Sequence, residues 1–64
     1  MSKAEFVKKL GKFLSQINVD VEEIYLKNDE TAVVRFTNGF EKQVNIACDG
    51  NNAIIIDVVK AIMY

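Results

Sequence analysis

Cys48 is the one nucleophile of note in this chain, and no histidine exists to activate it. A catalytic thiol needs a neighbouring base or cation to hold it as thiolate. At the end of an alternating strand, on its apolar parity, Cys48 reads instead as a small buried hydrophobe. Asp20, Glu22 and Glu23 are the densest carboxylates and would suit acid–base work as a pair. Strand alternation, however, sends Glu22 and Glu23 to opposite faces. Asp49-Gly50-Asn51 echoes part of a calcium loop, but that loop spreads oxygen ligands over roughly 12 residues and ends in glutamate. Here the apolar Ala53–Ile56 intervenes, so a cap and turn is the simpler reading. Backbone amides opening a helix at that point suit an anion, against the charge of Asp49. Four cations, Lys8, Lys9, Lys12 and Arg35, are the candidate contacts for an anion or nucleic acid; a solvated face is the simpler reading of the lysines. The residues therefore predict no enzyme, no cofactor and no metal site.

Charge and size narrow the partners. Eight lysines and arginines stand against nine acids, for a net charge of −1. That disfavours a sequence-independent nucleic-acid binder, which draws its affinity from clustered cations. The single cysteine excludes an internal disulfide, and the lack of a secretory leader predicts a reducing cytoplasm. The apolar run Ala53–Ile56 falls far short of the roughly 20 residues a spanning helix needs, so no membrane is expected. Residues 1–64 read as one small globular domain, near the lower size at which a core suffices.

The elements follow from periodicity. Ser2-Lys3-Ala4-Glu5 is a capping box, with Met1 and Phe6 at the staple positions. Phe6, Leu10, Phe13, Leu14 and Ile17 then recur at helical spacing, with Val7 on the flank and Lys8, Lys9, Lys12 and Gln16 opposite. Gly11 interrupts this helix at a cost of about 1 kcal/mol relative to alanine, which predicts a close approach to its backbone. Val21–Lys27 alternates, placing Ile24 and Leu26 inward and Val21, Glu23, Tyr25 and Lys27 outward. Ala32, Val34 and Phe36 share the inward face of the next strand, with Val33 outward; Phe40, Val44, Ile46 and Cys48 share that of the third.

Parity fixes the register. A two-residue Asn38-Gly39 turn would send the apolar sets of the second and third strands to different faces, which a half-buried sheet does not tolerate. A three-residue loop, Thr37-Asn38-Gly39, pairs Phe36 with Phe40 and Ala32 with Val44, with Gly39 in the left-handed position. The same test predicts a loop of three or five residues between the first two strands. Asp49, Asn51 and Asn52 are candidate caps for a last helix. Its β-branched sequence AIIIDVVKAIMY leaves a strand as the alternative, and the narrow polar stripe Ala53, Asp57, Lys60, Tyr64 favours the helix. The expected architecture is α+β: a helix, a three-stranded antiparallel meander and a helix (αβββα), with both helices on one face of the sheet.

That order resembles a double-stranded-RNA-binding domain in topology. Such a domain grips phosphates with a lysine cluster opening its last helix, where this chain has Asp49-Gly50-Asn51-Asn52. A second resemblance lies in the run from Asn38 to Asp49, NGFEKQVNIACD, followed by AIIIDVVKAI from Ala53 to Ile62. It is similar to small prophage-encoded proteins of Gram-positive bacteria, of the XtrA and YqaO kind, and implies a phage accessory setting without a biochemical role. The most informative surplus is hydrophobic. The last helix offers more apolar surface than one sheet and one helix cover, unless the first helix wraps around to bury it. Tyr25, Val33, Met63 and Tyr64 are the candidate interface residues, for a protein partner or a second copy in a homodimer. The expected function is a non-catalytic protein-interaction module; the alternative is a nucleic-acid-binding accessory protein using the lysines of the first helix.

Overall fold

The computed structural model describes residues 2–47 and 50–63, so Met1, Cys48, Asp49 and Tyr64, including the expected buried thiol and the staple methionine, lie outside the described residues. The chain forms α1 (Lys3–Ile17), β1 (Val21–Asn28), β2 (Thr31–Phe36), β3 (Glu41–Asn45) and α2 (Asn51–Met63). The strands make one antiparallel sheet in the order β1-β2-β3. The residues Val7, Leu14, Ile24, Val34, Val44, Ile54 and Val58 form one buried cluster, which places both helices on the same face. The αβββα architecture read from the sequence is the observed one.

Four asparagines shape the connections. The Oδ1 atoms of Asn18, Asn28, Asn38 and Asn45 each accept a hydrogen bond from the backbone N–H two residues on, at 2.9–3.0 Å. Each is an Asx turn, which offers the chain a local substitute for the ladder it is leaving. The β2–β3 loop has the three-residue form: Phe36 N–H donates to the Phe40 carbonyl at 2.8 Å, Ala32 faces Val44, and Gly39 has a φ of 90°.

The β1–β2 hairpin needs correction in two places. Its body has the expected parity, with Ile24 opposite Val34 and Leu26 opposite Ala32. A bulge after Leu26 then closes the tip to Asp29-Glu30, with Asn28 paired to Thr31, in place of a three- or five-residue loop. A second bulge between Val21 and Glu23 turns Val21 inward, opposite Phe36, where it joins the core instead of the outward face. The reason is visible in Val21-Glu22-Glu23-Ile24: two apolar residues three apart cannot both face inward in a strictly alternating strand, and an extra residue reconciles them.

Helix α1 is rotated from the expected face. Its buried residues are Val7, Gly11 and Leu14, so Val7 is central and not a flank, while Phe13 and Ile17 are exposed. Glycine carries no apolar weight in a periodicity, yet here it sets the contact. A Cβ on Gly11 would lie 2.7 Å from the Ile24 backbone nitrogen, so α1 rests directly on β1. Phe40, expected under the helices, is 58% exposed and only tilts against Phe36 at 6.2 Å between ring centroids.

The two helices run in the same direction. Lys3 Nζ donates to the Asp29 carbonyl in the β1–β2 turn, so α1 starts at that end of the sheet. Helix α2 also starts there, since Ile46 N–H donates to the Glu30 carbonyl just before it. It ends beside β3, where Lys42 Nζ donates to the Ala61 carbonyl at 2.9 Å. Lys42 faces the helices from the sheet and delivers its ammonium to an orphan carbonyl of the last turn of α2.

Candidate functional site

The expected site residues separate into three places. On the outward sheet face, Arg35 of β2 donates Nε–H to Glu41 of β3 at 3.0 Å and pairs through Nη1 with Glu23 of β1 at 2.9 Å. Its guanidinium stands 5.7 Å from the Tyr25 ring centroid, and the Tyr25 hydroxyl donates to Glu41 at 3.4 Å. The hydrogen bond to Glu41 foremost, with the Glu23 and Glu41 charges behind it and burial opposing, raises Arg35 above the ordinary arginine range. This cation already has two carboxylates, which leaves it poorly suited to grip phosphate. Val33 lies at the centre of the same face, between its cross-strand neighbours Tyr25 and Gln43. It is only 3% exposed, so the expected Tyr25–Val33 patch offers Tyr25 and the polar cluster, not Val33.

Lys8, Lys9 and Lys12 lie along the side of α1 that overhangs β1. With Ala4, Ser15, Glu22 and Tyr25 they line an open groove of about 710 Å³. Among the described residues none of the three lysines forms an ion pair. Glu22 and Glu23 share this groove, so it carries both signs of charge. Gly11 rests on Ile24 beside it, and Ile24 is 2% exposed, which shows that α1 covers the middle of the β1 edge.

Met63 belongs to the third place, the outer side of the helix layer. Ile56 is 54% and Met63 69% exposed, and Ile55 and Ile17 are also open. The wrapping of α2 by α1 that would have hidden these residues does not occur. Met63 and Ile62 also border a second groove of about 490 Å³ with Asn18, Phe36, Phe40 and Lys42. Sequence periodicity missed Phe13 and Ile17 as surface residues, because it counted them into the core stripe; the spacing Val7-Gly11-Leu14 was the available signal. Among the described residues no three acidic, histidine or cysteine side chains are placed to hold a metal ion, and no helix is long and apolar enough to cross a membrane. No family model, curated protein or solved structure matches the chain.

Proposed function

We propose that this chain is a non-catalytic protein-interaction module of the cytoplasm, of the phage accessory kind, which meets its partner through the outer side of its helix layer. The observation that carries the reading is the exposure of Ile55, Ile56 and Met63 on α2 together with Phe13 and Ile17 on α1. Five large apolar side chains open to water on one layer of so small a domain form the kind of patch that marks an interface. The nucleic-acid reading has the weaker support, because Arg35 is committed to Glu23 and Glu41 and the lysine groove also holds Glu22.

Affinity capture from the native host, repeated with Ile56→Asp and Met63→Asp, tests the reading. Both positions are exposed, so both variants are expected to fold and to lose the captured partner. Equal capture by the wild type and both variants overturns it. So does a steeply salt-dependent shift of duplex RNA by the wild type, the behaviour of a phosphate-gripping protein.

A further inference from the structure

The two edges of the sheet are treated differently. β1 is interrupted by two bulges and covered at Ile24 by α1. These are the devices by which proteins keep an edge strand from pairing. β3 has neither. Its pairing with β2 runs without a shift from Thr31–Asn45 to Arg35–Glu41, and Glu41, Gln43 and Asn45 are all exposed. The ladder phase shows which backbone groups are open. Phe36 N–H donates to Phe40, so Phe36, Val34 and Ala32 turn their polar groups towards β3. By antiparallel alternation Lys42 and Val44 answer them, and Glu41, Gln43 and Asn45 point N–H and C=O away from the sheet.

The helix above this edge presents its polar side the same way. At about 3.6 residues per turn, Ile55, Val59 and Ile62 fall on the flank of α2 turned towards α1. Ala53, Asp57 and Lys60 fall on the opposite flank, beyond β3. From these placements we propose that β3 pairs antiparallel with β3 of a second copy, giving one continuous six-stranded sheet in a two-fold dimer.

The edge is self-complementary. An axis through Gln43 sets Gln43 opposite its own copy and Glu41 opposite Asn45, so no like charges face each other. All three are hydrogen-bonding positions, and each pair exchanges two backbone bonds. The same axis passes the C-terminal half of α2, because Lys42, one residue from it, reaches to Ala61 in the last turn of that helix. Two antiparallel α2 helices then meet across it, with Asp57 of each facing Lys60 of the other. Lys42, an inward-facing charge of the kind that often guards an edge, does not block this pairing, since its ammonium is already bound at the Ala61 carbonyl. Lys60 lies one turn from Ile56, so this surface borders the docking surface proposed above, but the pairing uses neither Ile56 nor Met63 and does not rest on that reading.

Sedimentation velocity from micromolar to millimolar concentration tests the pairing, with amide hydrogen exchange on the unmodified protein. The wild type shifts from one to two copies of mass, and the Glu41, Gln43 and Asn45 amides gain protection as concentration rises. Gln43→Pro removes an outward N–H that the monomer does not use and is tolerated on an edge; it holds the chain monomeric. Asp57→Lys and Lys60→Asp each weaken the dimer about tenfold, and the double exchange restores it. A wild type that stays monomeric at millimolar concentration overturns the proposal. A dimer insensitive to Gln43→Pro, with no protection gained along β3, overturns it equally.

Discussion

Gly11→Ala puts two effects of opposite sign against each other. In an exposed helix interior the change gains about 1 kcal/mol of helix propensity. Here the new Cβ would lie 2.7 Å from the Ile24 nitrogen and 2.8 Å from its Cβ. Ordinary carbon contacts sit at about 3.5–4.0 Å, so α1 would have to lift from β1 by nearly an ångström along its main contact. Overpacking of this kind costs about 1–3 kcal/mol, and the atom in the way is backbone, which cannot rotate aside. The expected net loss is up to about 2 kcal/mol, from a total of about 3–10 kcal/mol for a domain this size. That corresponds to a fall in Tm of up to roughly 16 °C. Urea unfolding followed by circular dichroism measures it, with Lys12→Gly and Lys12→Ala giving the propensity difference at an exposed site of the same helix. If Gly11→Ala instead gains the full propensity difference, the close contact of α1 with β1 is refuted.

Lys42→Met removes the donor to the Ala61 carbonyl and should cost about 1 kcal/mol, whereas Lys9→Met, on an exposed position of α1, should cost little; equal midpoints for the two in urea would refute the helix-end role of Lys42. Val33→Ala should destabilise the isolated monomer by about 1.5 kcal/mol, from the two methyl groups removed from a buried site. An unchanged thermal midpoint would return Val33 to the exposed surface.

What the sequence made legible follows from residues whose constraint is local. Parity along Thr31–Ile46 gave the β2–β3 register because a one-residue slip reverses every side chain. Gly39 marked the turn because only one backbone conformation closes it. Gly11 announced a close approach but not what approached. The rest was hidden by irregularity. The bulge at Glu22 cannot be read from alternation, since a bulge is a failure of alternation, and it moved Val21 from the outer face to the core. The rotation of α1 was hidden because the residue at the centre of its buried face has no side chain to count. The candidate surface was half legible. Met63 lay where the apolar surplus of α2 indicated, while Val33, assigned to the outer face by the same parity, was closed over by its neighbours.

The parallel course of the helices gives the domain an electrical axis. Each helix carries a partial positive charge at its start and a partial negative charge at its end. Two helices side by side in the same sense repel each other, yet their fields add along their length. The formal charges answer this field at both ends. Asp29 and Glu30 sit in the turn beside the start of α1, and Lys42 is held at the end of α2. The formal charges therefore offset the helix field at both ends, an inner balance that added salt weakens from both ends together.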